Sequence, residues 1–196
     1  MTLQPVAPPH PLTVAEYLAI GEIEPGYSEL VEGRLVMCAS PVFDHQDFLF
    51  ELHSQVRSQL PPGLVAAQDL DLDLQLVPAD GPGTVRRPDL VVATREAQLR
   101  LRREGGVLRA SEVVLVVEVV SPSSVRTDHV VKRGEYADAG IPHYWIVDLD
   151  DPVSLIACHL AGDFGYRDGG AVTGLFSPTA PFAVEIDLDP PAPTGP

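Results

Sequence analysis

Residues 113–120 read VVLVVEVV. Seven of the eight are aliphatic and six are valine, so the run is suited to a strand covered on both faces. Such strands sit in the middle of α/β sheets. Glu118 is out of place in that setting. A buried, unpaired carboxylate is costly and tends to shift its pKa and stay neutral. The run ends two residues later at Ser121-Pro122, which sets Glu118 near the C-terminal end of the strand, where open α/β sheets hold their ligand crevice. Two readings remain open on this residue alone: an ion pair with a nearby arginine, or a divalent cation.

The segments around the run alternate between strand and helix signals. After SPSS (121–124) a helix is expected over about 127–139, closed by Gly140 as its C′ residue. IPHYWIVDLD, SLIACHL and FGYRD read as further strands. Upstream, 89–93 (DLVVA) is a short apolar strand, and 94–104 is a polar helical segment. The alternation DLDLDLQL (69–76) predicts a half-buried strand with Leu70, Leu72, Leu74 and Leu76 on one face. Its three aspartates share the other face, as solvated neighbours or as part of a metal site. Asp44 is placed to cap a helix over about 44–60 with the apolar stripe Leu49, Leu52, Val56 and Leu60; His45 lies on the same side. Pro61-Pro62-Gly63 stops this helix. ELVEGRLVMCA predicts a hairpin turning at Glu32-Gly33. Thr13 and Glu16 predict a capping box, with Leu12 stapled against Tyr17. The order of elements implies an α/β fold with a mixed central sheet.

With 196 residues, 45% hydrophobic and 21% charged, the chain suits a globular protein with one sizeable core, spanning 12–189. The proline-rich ends, 1–11 and 190–196, are expected to be flexible. MTLQPVAPPHP lacks the charged and apolar regions of a secretory signal, and no apolar run approaches the ~18 residues of a membrane span. Cys38 and Cys158 lack metal-type spacing and read as buried thiols in a reducing cytoplasm. The net charge of −15 argues against a polyanionic partner, but its distribution is uneven. Ten of the thirteen basic residues lie in 86–133, with six acids. That segment either binds a polyanion locally or is a solvated, arginine-rich helix.

RRPDLVV supplies a second carboxylate, Asp89, at the start of a strand. Two carboxylates on neighbouring strands meet the minimum for holding Mg²⁺, which keeps several waters. Pro88-Asp89 followed by Glu118 resembles the PD-(D/E)xK signature of restriction-endonuclease-like nucleases. The longer string EVVSPSSVRTDHVVKRGEYADAGIPHYWIVD resembles the Uma-two family of that superfamily. LTVAEYL, ELVEGRLV and His45 also match, so the resemblance covers roughly 12–189. It implies a restriction-endonuclease-like αβββαβ core with a mixed central sheet flanked by helices and extra C-terminal strands. It also implies a metal-dependent DNA endonuclease, with Asp89 and Glu118 as ligands for Mg²⁺ or Mn²⁺. The signature's lysine would fall at position 120, which is Val120 here. In this family it is displaced to the following helix, pointing to Lys132. Glu29 matches a family acid that approaches the same site.

Asp128 and Lys132 stand four residues apart and share a helix face. Asp128 also reads as an acid favoured by the helix N-terminus. If Val130, Gly134 and Ala137 pack on the sheet, Lys132 faces solvent; if Tyr136 and Ala139 do, it faces inward. His45, Tyr136 and Trp145 read as core residues, and Asp148 as a turn former. A homodimer fits the cutting of two strands. The rival reading is a catalytically inactive nuclease-fold protein that binds nucleic acid or protein, suggested by Val120 and the acidic charge.

Overall fold

A computed structural model describes residues 10–21, 27–38 and 40–189. The expected flexible ends fall outside these residues, apart from His10 and Pro11. Among the described residues there are four α-helices: α1 (Val14–Ile20), α2 (Phe43–Ser58), α3 (Arg95–Glu104) and α4 (Arg133–Asp138), the last preceded by a π-helical turn at Thr127–Lys132. The strands are β1 (Tyr27–Val31), β2 (Arg34–Cys38), β3 (Leu64–Gln68), β4 (Leu72–Asp73), β5 (Val85–Arg86), β6 (Leu90–Thr94), β7 (Leu108–Arg109), β8 (Val113–Val120), β9 (His143–Asp148), β10 (Ser154–Leu160), β11 (Tyr166–Thr173), β12 (Leu175–Phe176) and β13 (Ile186–Asp187).

The valine run, β8, lies inside a six-stranded sheet of order β11-β10-β9-β8-β6-β3. It pairs antiparallel with β6 and parallel with β9, so the sheet is mixed. The sequence α2, β3, β6, β8, the π/α4 helix, β9 gives the αβββαβ order, and β10 and β11 are the extra C-terminal strands. Both faces of β8 are covered. Leu115, Val117 and Val119 pack with Leu49, Leu52 and Val56 of α2. Val116 and Val120 pack with Tyr136, Tyr144 and Ile146 on the other side. The alternation therefore aims Glu118, between Val116 and Val120, at the face carrying α4.

A second sheet, β2-β1-β5-β4-β7, takes β1 and β2 from before the first sheet's strands and β4, β5 and β7 from between them in the chain. The β1–β2 hairpin turns at Glu32 (φ 48°) and Gly33 (φ 77°), two positive angles that suit a tight two-residue turn. A Cβ on Gly33 would come within 2.6 Å of Pro11 Cβ. The capping box of α1 is formed in full, with Thr13 Oγ1 accepting from Glu16 N–H and Glu16 accepting from Thr13 N–H.

Three expectations need correction. Val42, not Asp44, is the N-cap of α2, and it caps without a side-chain bond; Asp44 stands in the first turn. DLDLDLQL is strand only at Leu72–Asp73, because Asp69 (φ 52°) and Gln75 (φ 54°) turn the chain at either end. Leu72 and Leu74 are buried, whereas Leu70 and Leu76 are exposed. The helix expected over 127–139 opens with π geometry rather than as a uniform α-helix.

Leu49 is fully buried between α2 and β8, so Leu49→Ala is expected to lower stability by about 2–5 kcal/mol in urea denaturation. Leu99, exposed on α3, is expected to change it by less than about 0.5 kcal/mol when replaced by alanine.

Candidate active site

Asp89 immediately precedes β6. The antiparallel register pairs Leu90 with Val117, so continued by one residue it sets Asp89 across from Glu118. The Asp89 Oδ2 accepts the Val119 backbone N–H at 2.7 Å and lies 3.3 Å from His45 Nε2. That same imidazole nitrogen is 3.1 Å from the Val119 carbonyl, which can only accept, so Nε2 carries the hydrogen. Burial alone would lower the His45 pKa, but the hydrogen bond and charge of Asp89 outweigh it and the pKa is raised. His45 is buried, as its apolar stripe implied, and its ring also reaches Asp89. The missed signal was its place at the start of α2, on the side facing the end of β8.

Lys132 turns inward. It is buried together with Asp128 and Tyr136, while Val130 is 60% exposed. This settles the two helix faces left open by the sequence. Across the wider π turn, residues four apart stay on nearly one face, so Asp128, Lys132 and Tyr136 form a single inward row; π turns recur at functional sites. Lys132 Nζ is 2.9 Å from Glu118 Oε1 and 3.4 Å from Asp128 Oδ1. Tyr136 Oη donates to the same Glu118 Oε1 at 2.7 Å. Glu118 is 3% exposed, and burial pushes its pKa up to about 8 against the pull of Lys132. Burial would lower the Lys132 pKa, but Glu118, Glu29 and Asp128 outweigh it and hold the amine protonated. Lys132 is also the only lysine in the sequence; every other basic residue is arginine.

Glu29 arrives from β1. Its Oε1 accepts the Arg87 N–H at 3.0 Å and lies 3.9 Å from Lys132 Nζ. Its Oε2 is held by Arg86 Nη1 at 2.7 Å, and Arg86 also grips Glu135 through two further bonds of 2.7 Å. Neither Arg86 nor Glu135 stood out in the sequence, where Arg86 was one of ten basic residues in a charged segment. The cluster brings together all four expected site residues: Glu29, Asp89, Glu118 and Lys132. Asp148 ends β9 beside Val120 and bonds Asp150 N–H, as a turn former does.

Five carboxylates (Glu29, Asp89, Glu118, Asp128, Glu135) share two full cations, Arg86 and Lys132, among these side chains. Arg87 is taken by Asp71, Arg100 by Glu112 and Arg133 by Asp168, so much of the basic segment is spent on internal pairs. The site therefore carries excess negative charge at low exposure. Among the described residues, no three His, Cys, Asp or Glu side chains close on one point as a ready cage. Mg²⁺ does not require one, since one or two carboxylates with waters and substrate phosphate suffice. The donor set suits that demand: Asp89 and Glu118 each have one oxygen fixed by the protein and another outside the described hydrogen bonds.

Burial raises the pKa of folded Glu118 to about 8 from the ordinary 4.5, against the pull of Lys132. In that window the unfolded state binds fewer protons, so this group's contribution to stability declines as pH rises. Urea titrations from pH 5 to about 8 are expected to fall more steeply for the metal-free wild type than for Glu118→Gln. Equal slopes would contradict the raised pKa of buried Glu118.

Comparison with known proteins agrees with this fold. A crystal structure described as that of a "putative nuclease belonging to DUF820 from Anabaena variabilis ATCC 29413" matches with a TM-score of 0.60 at 20% identity, over 81% of this chain and 84% of that one. At that identity the likeness is one of fold. No curated protein matches the chain. The family model Uma2, described as "Putative restriction endonuclease", matches residues 14–168. With most of the chain matched, the protein belongs to the Uma2 family.

Proposed function

We propose that the protein is a divalent-metal-dependent endonuclease that hydrolyses phosphodiester bonds in DNA, with Mg²⁺ or Mn²⁺ held by Asp89 and Glu118. One observation carries this reading. Two carboxylates stand on adjacent strands, each oriented through a single oxygen, beside a protonated lysine 2.9 Å from one of them. A bound ion would supply Lewis-acid chemistry, polarising a phosphoryl oxygen and lowering the pKa of its water.

The chain's own groups do the rest. His45 and the Val119 N–H orient Asp89, and Tyr136 orients Glu118. Lys132, held protonated, is a donor to the charge that develops on the phosphoryl oxygens and not a general base. It takes the part that Val120 cannot. Glu29 has both oxygens engaged by Arg86 and the Arg87 N–H, which suits an orienting acid better than a metal ligand. Two free thiols, Cys38 and Cys158, support a reducing cytoplasmic setting, although Cys38 is only half-buried. No described helix is long and apolar enough to cross a membrane. A two-fold dimer would present one site to each strand of a duplex.

Asp89→Ala and Glu118→Ala are each expected to slow Mg²⁺-dependent nicking of supercoiled plasmid by at least about 10²-fold. Lys132→Arg should also fail, since a planar guanidinium does not replace a compact ammonium. Undiminished cleavage by purified Asp89→Ala would sink the assignment. A wild type that neither cleaves nor takes up Mg²⁺ would instead favour the non-catalytic binding module. Salt-dependent retention on DNA would then separate a nucleic-acid partner from a protein one.

A further inference from the structure

Arg86 is the most heavily committed side chain at the site, yet it contacts neither Asp89 nor Glu118 in the described hydrogen bonds and ion pairs. It is 4% exposed. Its guanidinium joins β5 to Glu29 on β1 and, as a fork, to Glu135 on α4. Glu29 and Glu118 both lie within reach of one ammonium, that of Lys132, at 3.9 Å and 2.9 Å. Which carboxylate holds Lys132 depends on what else satisfies Glu29. Its side chain is 6% exposed, so water cannot take over for a lost partner; Glu135, at 18%, has access to solvent. Without Arg86, the remaining full cation beside Glu29 is Lys132.

We propose that Arg86 is a positioning residue: by saturating Glu29 it keeps the Lys132 ammonium on Glu118, at the Asp89–Glu118 pair. This rests on the nuclease reading of Lys132. A guanidinium that merely stapled β1, β5 and α4 together would contribute stability without deciding where Lys132 sits.

Because Lys132 is the only lysine, protein labelled with ¹³C,¹⁵N-lysine gives one lysine Cε–Hε correlation in an NMR spectrum. Arg86→Met is expected to move that signal, and Arg86→Met with Glu29→Gln to return it toward the wild-type position. In a crystal structure of Arg86→Met, Lys132 Nζ should come within about 3 Å of Glu29 Oε1. In plasmid cleavage, Arg86→Met should lower kcat by about 10²-fold with little change in KM. The double variant should recover about tenfold of that loss. Glu135→Gln cuts the fork but leaves the Arg86–Glu29 pair, so the Lys132 signal should stay in place; this variant carries the test if Arg86→Met does not fold. An unmoved signal in Arg86→Met, no recovery in the double variant, or a displaced signal in Glu135→Gln would each overturn the proposal. If the wild type cleaves nothing, the nuclease reading falls, and the lysine signal still decides the role of Arg86.

Discussion

Glu118 is a carboxylate in the driest part of the molecule, and much of the surrounding structure answers the cost of placing it there. β8 is covered on both faces, so its one charged side chain has little recourse to water. Lys132 and Tyr136 meet the same Glu118 oxygen from one helix. Lys132 must then be buried as well, and an ammonium out of water requires several acids around it. Asp128 and Glu29 supply them, Arg86 balances Glu29, and Glu135 balances Arg86. A chain of alternating charges thus runs from the central strand through the helix to the second sheet. At its inner end the negative charge remains in excess, beside Asp89.

That excess bears on how an acidic protein meets a polyanion. With a net charge of −15 and several of its clustered arginines paired internally, the chain does not present DNA with a broad basic field. A divalent ion at Asp89 and Glu118 would offset the negative charge where the phosphate must lie. Under the proposed function such an ion would serve binding as well as chemistry, and affinity for DNA would be coupled to metal occupancy.

Much of this was legible in the sequence where local chemistry decides the outcome. The valine run, the Glu32-Gly33 turn and the Thr13/Glu16 capping box appear in the fold as their residues imply. Glu118 stood out because a charge interrupts an apolar strand, and Asp89 because a proline-led acid opens the neighbouring one. What was not legible depends on contacts between distant segments. His45 has the pattern of a core residue until β8 brings Val119 and Asp89 beside it. Arg86 is one arginine of twelve until Glu29 and Glu135 arrive from opposite sides. The strict alternation around Asp71 predicts a longer strand than forms, since positive backbone angles at Asp69 and Gln75 override it. Helical periodicity alone could not choose the face of Lys132, because a π turn changes the period. One compositional signal did mark it: the chain uses lysine once.

Metal binding by Asp89 and Glu118 is the step on which the proposed function turns. It is tested most directly by soaking crystals of the wild-type protein in Mn²⁺ and collecting diffraction for an anomalous difference map. A peak is expected at bonding distance from one oxygen of Asp89 and one of Glu118, lost in Asp89→Ala. A map with no peak at these carboxylates, or a peak held elsewhere and unchanged in Asp89→Ala, would contradict it.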